Sequence, residues 1–238
     1  MTTSRPSTRV LPADTLANGR RFIAGLFREH GGRLVLLFFC LLAPLWLFVE
    51  LADEVHELEA FYFDDPLLWR AHALNGPALD RFFVFMSAIG YQWGVVPADI
   101  LLTSVLLVLQ RWREATFAGV SFAGSALLNL ATKQFFQRDR PSLWESIAPE
   151  HTFSFPSGHA MGSATLAMVV VLLCWHTRFR WLVAGLAVLF TLTVGASRIY
   201  LGVHYPSDIL GGWAAGVAWV SGVYLVLYRI RERPWQVR

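Results

Sequence analysis

The stretch Ser197-Arg198-Ile199-Tyr200-Leu201-Gly202-Val203-His204-Tyr205-Pro206-Ser207-Asp208 lies between two long apolar runs. An arginine, a histidine and a carboxylate at such an edge are costly to keep there and point to function. His204 and Asp208 are four residues apart. Pro206 suits the first position of a helix. Asp208 then falls in the first turn, from which its carboxylate reaches back to one ring nitrogen of His204. That bond would fix the tautomer and leave the other nitrogen free to attack. Arg198 offers a planar fork for phosphate oxygens. The same residues also suit an interfacial arginine beside a helix cap, and both readings stay open until the rest of the chain is read.

The flanking runs set the class. Of the 238 residues, 55% are hydrophobic and only 16% charged, and the mean hydropathy is +0.46. A soluble domain carries about 25% charge, so the deficit points to a membrane. Ten tryptophans suit interfacial belts. The net charge of +3 is small. Cys40 and Cys174 both lie within apolar runs, and read as packing or lipid-facing residues and not as a disulfide framework or metal site.

Six spans are expected. Residues 1–33 form a basic tail, too long for the basic region of a usual signal peptide. The run that follows ends without a small-residue cleavage pattern, so Leu34–Leu51 reads as an uncleaved first span. Pro44 is positioned to kink it. Residues 52–94 are acidic and mixed; Phe82, Phe83, Met86 and Ile89 recur at helical spacing, which fits an interfacial amphipathic helix or a cap packed on the bundle. Trp93-Gly94 opens a second span to Leu109, with Asp99 expected to cap its start. Gln110–Glu114 is expected as a tight loop. The remaining spans are expected at about Ala115–Phe136, Ser157–Trp175, Trp181–Ile199 and Ser207–Tyr228, with a second basic tail over residues 229–238. The fold class is therefore all-α: a polytopic membrane protein with six transmembrane helices and an extracytoplasmic interfacial helical segment. Residues 34–228 form its membrane domain.

An even number of spans puts both termini on one side, and arginine usage decides which. The tails and the two short loops hold fourteen basic residues; the other face holds six. By the positive-inside rule the termini are cytoplasmic. The opening stretch and the loop between the third and fourth spans are then extracytoplasmic.

Two further clusters fall on that same face. Lys133, the only lysine, precedes Arg140-Pro141 by six intervening residues; a compact ammonium suits a phosphate oxygen. Pro156-Ser157-Gly158-His159 opens the fourth span. A helix N-terminus offers unpaired amides to an anion, Ser157 adds a hydroxyl, and Gly158 lets backbone approach closely. Arg138, Asp139, Glu145, Glu150 and His151 lie nearby and read as a solvated loop. Together the clusters supply three cations, a helix start, two histidines and a carboxylate. Phosphoryl transfer needs such parts: positive charge around the equatorial oxygens, an in-line nucleophile and an acid for the leaving oxygen.

Lys133-(six)-Arg140-Pro141, Pro156-Ser157-Gly158-His159 and Ser197-Arg198-(five)-His204-(three)-Asp208 resemble, in order and spacing, the three signature motifs of the type 2 phosphatidic acid phosphatase superfamily. The resemblance covers about residues 78–228. It implies that His204 is the nucleophile and forms a phosphohistidine, that Asp208 orients it, and that His159 protonates the leaving oxygen and then activates water. It implies that Lys133, Arg140, Ser157, Gly158 and Arg198 hold the phosphoryl group, with no metal and no cofactor. The implied partners are a membrane lipid phosphate and the bilayer, with no nucleic acid; no protein partner is legible. Such a protein would sit in the cytoplasmic (inner) membrane and hydrolyse lipid monophosphates or diphosphates. A lipid phosphotransferase using the same phosphohistidine and a non-enzymatic scaffold are the alternatives; a vanadate-dependent haloperoxidase shares the oxyanion site, but six spans argue against it. A lipid tail too apolar to leave the bilayer requires sideways entry of the head group, through an opening lined by apolar residues and roofed by the stretch around Phe82–Ile89.

Overall fold

A computed structural model describes residues 36–228 together with Gly31, Pro234 and Trp235. The expected basic tails therefore lie almost wholly outside the described residues. A π-helical stretch, Leu36–Leu42, leads into α1 (Ala43–His56), followed by α2 (Asp64–His72), α3 (Pro77–Ile89), α4 (Val95–Val108), α5 (Trp112–Phe136), α6 (Gly158–Cys174), α7 (Arg180–Tyr200) and α8 (Pro206–Leu227). No strand occurs among the described residues.

Local chemistry explains several boundaries. Pro44 lies in the first turn of α1, where its missing N–H is harmless; the wider π-helical turns come immediately before it. Helix α1 runs beyond the expected Leu51 and carries Asp53 and Glu54. The acidic segment forms two helices, α2 and α3, where one was expected. Phe83 turns inward against Tyr200, ring centroids 4.4 Å apart, so α3 caps α7, while Phe82 and Phe85 remain exposed on its other side.

Two local expectations are corrected. Helix α4 starts at Val95 with no acidic residue in its first turn, so Asp99 caps nothing; its Oδ1 is buried without a hydrogen-bond partner. The loop expected at Gln110–Glu114 closes faster. Gln110 takes a positive φ of 58° and α5 begins at Trp112. Glu114 then accepts a hydrogen bond from the Trp235 backbone N–H at 2.6 Å, and Trp235 Nε1 donates to the Leu173 carbonyl at 2.7 Å. Part of the C-terminal segment is thus docked on the bundle.

Helices α5, α7 and α8 are long and apolar enough to cross a membrane; α4 and α6 are apolar but shorter. At ~1.5 Å per residue the 14 residues of α4 span about 21 Å, against a ~30 Å hydrocarbon core. Six full spans are expected from the sequence; three described helices have the length.

Helix α6 is the hub, packing on α8, α7, α5 and α4. Glycine makes its closest approach possible: a Cβ on Gly212 would meet the Ser157 carbonyl oxygen at 2.7 Å. With α8 that close, the Ser157 N–H donates to the Asp208 carbonyl at 3.1 Å. Because successive helices alternate direction, the ends of α5 and α7 and the starts of α6 and α8 share one end of the bundle. All three sequence motifs sit there. The principal apolar core, with Phe117, Val169, Leu172 and Val220, fills the body of the bundle.

Candidate active site

Each motif residue is placed by a helix end. Lys133 lies in the last turn of α5, which stops at Gln137 in the left-handed region with φ 46°. Ser157 is the N-cap of α6, Arg198 lies in the last turn of α7, and Asp208 lies in the first turn of α8 behind Pro206. His204 sits in the short connection between α7 and α8, which turns at Gly202 with φ +68°. A Cβ on Gly202 would also run into the Trp144 ring at 2.6 Å.

His204 is 1% exposed. Its Nδ1 lies 3.3 Å from Asp208 Oδ2 and 3.3 Å from Ser154 Oγ. Its Nε2 lies 3.1 Å from Arg140 Nη1. Arginine can only donate, so Nε2 is the acceptor and Nδ1 carries the proton toward Asp208. Burial, with Arg140, Arg198 and Lys133 around it, holds the ring well below the ordinary histidine value of 6.5. It is neutral at neutral pH, with its Nε2 lone pair directed at Arg140.

Asp208 is the centre of a second network. Its Oδ2 accepts from Ser154 Oγ and, at 2.8 Å, from the Tyr205 N–H. Its Oδ1 accepts from Arg138 at 2.6 Å. Arg138 also donates to Asp64 at 3.0 Å and to Ser207 Oγ at 2.8 Å. Asp64, in the first turn of α2, takes the Ser207 N–H at 2.9 Å and its hydroxyl at 2.5 Å. Burial pushes the Asp64 carboxyl up, and Ser207 and Arg138 hold it back.

The cations are fixed by other donors and acceptors. Arg140 donates to the Thr152 and Val203 carbonyls, each at 2.6 Å, and to Thr152 Oγ1 at 3.0 Å. Lys133 donates to the Phe153 carbonyl, and Arg198 donates to Ser87 Oγ and to Glu150. Arg198 Nε is buried without a hydrogen-bond partner. Lys133, Gly158, His159 and Arg198 line a cavity of about 750 Å³ that extends between α3 and α5. His159 stacks obliquely on Tyr91, centroids 5.1 Å apart.

The expected site residues thus converge: Lys133, Gly158, His159 and Arg198 line the cavity, Arg140 and His204 meet its lining residue Glu150, and Ser157 differs in position. Ser157 is fully buried and its Oγ faces its own helix, 3.4 Å from the Ala160 N–H; it does not line the cavity. Two loop residues do not fit the solvated reading. The Arg138 side chain is 14% exposed and locked between two carboxylates. Glu150 reaches into the cations, with Oε2 2.7 Å from Arg140 Nη2. Arg138 stands two residues before Arg140, with Asp139 between them, and that proximity to a motif residue is the one signal it carried. Asp64 and Ser154 gave no such signal.

Comparison with known proteins follows the same lines. The PAP2 superfamily matches residues 114–232, half of the chain. The chain is 26% identical over 178 residues to phosphatidylglycerophosphatase B of Bacillus subtilis, covering 71% of this chain and 86% of that protein. It is 32% identical over 149 residues to the undecaprenyl-diphosphatase of Sulfolobus acidocaldarius, covering 60% and 68%. Its fold is similar to the crystal structure of a transmembrane PAP2-type phosphatidylglycerolphosphate phosphatase from Bacillus subtilis, with TM-score 0.68, 25% identity, and coverage of 76% of this chain and 92% of that one.

Proposed function

This chain belongs to the PAP2 superfamily, and from that membership we propose that it hydrolyses membrane lipid phosphates through a phosphohistidine on His204. The observation that carries the reading is that His204 Nε2 meets Arg140 at 3.1 Å, and that Glu150, which lines the cavity with Lys133 and Arg198, lies 3.8 Å from the same Nε2. In the first step Nε2 attacks phosphorus, the bond from phosphorus to the leaving oxygen breaks, and His159 gives that oxygen its proton. The imidazolium formed is balanced by Asp208 through Nδ1–H. In the second step His159 takes a proton from water, whose oxygen attacks phosphorus and displaces His204. Lys133, Arg140, Arg198 and the Gly158 amide hold the phosphoryl oxygens. These cations supply the charge that a metal provides elsewhere.

The substrate class follows from the similar proteins: a phospholipid phosphate such as phosphatidylglycerol phosphate, or an isoprenoid diphosphate such as undecaprenyl diphosphate. A panel of these with phosphatidic acid, assayed for both phosphate release and phosphate transfer to a second lipid, tests the reading. Release is expected. Activity is expected to persist in EDTA and to fall with vanadate, which imitates the pentacoordinate state. Transfer without release, or strict dependence on added magnesium, would overturn it.

The arrangement supports sideways entry. Val84, Ser87 and Ala88 of α3 and Leu127 and Leu130 of α5 line the cavity; Leu127 and Leu130 are 67% and 58% exposed. Within the stretch expected to roof the opening, Val84, Ser87 and Ala88 line the cavity and Phe82 and Phe83 do not. Leu130→Asp is expected to slow a long-chain substrate by about tenfold and a short soluble phosphate ester by much less, since each buried CH₂ of the tail contributes ~0.8 kcal/mol. Equal slowing of both would contradict lateral entry.

The chain is read as a six-span protein of the cytoplasmic membrane with the site on the extracytoplasmic face, on the arginine asymmetry. Reporter fusions at residues 5 and 236 are expected to read cytoplasmic, and one at residue 148 extracytoplasmic. An inward signal at 148 would move the chemistry to the cytoplasmic leaflet.

A further inference from the structure

Glu150 sits where the substrate's phosphoryl group has to go. Its Oε1 accepts from Arg198 and lies 3.7 Å from His159 Nδ1. Its Oε2 lies 2.7 Å from Arg140 Nη2 and 3.8 Å from His204 Nε2. In-line attack requires phosphorus about 3–3.5 Å from the nucleophile. The carboxylate and a phosphoryl group therefore exclude each other.

The two partners differ in freedom. Arg198 and Arg140 are 2% and 12% exposed and each is tied to other groups, whereas Glu150 is 26% exposed. It belongs to a loop segment, Ala148–Thr152, that lines the cavity wall and carries no helix or strand. The carboxylate can leave while the cations stay. The groups facing it are Arg140 from its own loop, His159 from α6, Arg198 from α7, His204 from the α7–α8 connection and Lys133 from α5.

We propose that Glu150 is the resident anion of the phosphate site and acts as its charge filter, a role that rests on the lipid phosphatase reading. Head groups of bulk membrane lipids are phosphodiesters with one negative charge. Exchanging Glu150 for one of these gains no charge against the three cations. A phosphate monoester or a terminal diphosphate brings about two charges, so it displaces the carboxylate with a net electrostatic gain. Glu150 thereby keeps the abundant diesters of the bilayer out of a strongly cationic site and sets specificity for the terminal phosphate.

The test is binding of inorganic phosphate and of dimethyl phosphate, a monoanionic diester, to the full chain purified in detergent at pH 8. The wild type is expected to bind phosphate and not dimethyl phosphate. Glu150→Gln and Glu150→Ala are each expected to bind phosphate about tenfold more tightly, equivalent to about 1.4 kcal/mol, and to acquire measurable dimethyl phosphate binding. Unchanged or weakened phosphate binding in the variants would overturn the filter and make Glu150 a support for Arg198 and His159. A measurement on the wild type needs no variant: saturating phosphate should accelerate hydrogen–deuterium exchange in residues 146–152 as the carboxylate is expelled. Unchanged or slower exchange there would likewise overturn it. Binding is read apart from turnover. A chain that hydrolyses lipid phosphates without these shifts loses the filter alone, and one that shows them without hydrolysing any lipid loses the phosphatase reading.

Discussion

His204→Ala is expected to lower kcat by about ten-thousand-fold or more and to abolish any covalent phosphoenzyme, while inorganic phosphate and vanadate still bind. The expectation follows from the division of labour at the cavity. The cations proposed to hold the phosphoryl oxygens come from α5, α7 and the loop before α6, and their anchors are the Phe153, Thr152 and Val203 carbonyls and Ser87. Arg140 loses its contact with His204 Nε2 but keeps the Thr152 and Val203 carbonyls and the Thr152 hydroxyl, and the anchors of Lys133 and Arg198 do not involve the imidazole. On the proposed mechanism, removing the ring would delete the nucleophile and leave the anion site. His159 cannot replace it, because its ring faces the cavity from another wall and lacks the Asp208 contact that would balance a phosphorylated ring. Asp208→Asn is milder in the same frame, since the attacking Nε2 remains. A His204→Ala protein keeping a tenth of normal activity would contradict the assignment.

The second large effect is on stability. Arg138 is the countercharge for both Asp208 and Asp64, which are 0% and 3% exposed. Arg138→Leu would leave two carboxylates buried without it. Breaking a buried pair by removing one partner costs about 3–5 kcal/mol, mostly because the surviving charge is uncompensated. Because this arginine also fixes the Asp208 oxygen opposite the one nearest His204, activity should fall as well. Arg138→Lys restores charge without the planar fork that spans Asp208, Ser207 and Asp64, and should recover stability only in part. Asp64→Asn in the Arg138→Leu background should recover some of the loss by removing one orphaned charge. Thermal unfolding in detergent, with wild type alongside, checks the series. An Arg138→Leu protein within about 1 kcal/mol of wild type would show that Asp208 and Asp64 are neutralised in some other way.

The sequence made the catalytic end legible because its residues lie at helix termini, where proline, glycine and N-cap chemistry are local signals. Pro206 predicted the turn carrying Asp208, and Ser157 predicted the start of α6. The rest depends on contacts between distant segments. Asp64 reaches Ser207 across 143 positions, and no local pattern distinguishes it from Asp65 beside it. Glu150 and Arg138 read as solvated because charged loop residues usually are; what buries them is the packing of that loop over the end of the bundle. Asp99 misled for a different reason: with the span opening just after Trp93-Gly94, at Val95, its carboxylate falls beyond the first turn and its free amides. The span count shows the same limit: hydropathy finds apolar runs, while α4 and α6 are apolar helices shorter than those runs suggest.

On the proposed mechanism His204 takes the phosphoryl group. The most direct measurement is a single turnover of purified wild-type protein with a terminally labelled lipid phosphate, quenched within milliseconds and digested for peptide mapping. An acid-labile, base-stable label is expected on the peptide containing His204, formed before phosphate is released and absent from His204→Ala. Label on another residue, or phosphate released at full rate with no covalent intermediate at any quench time, would contradict it.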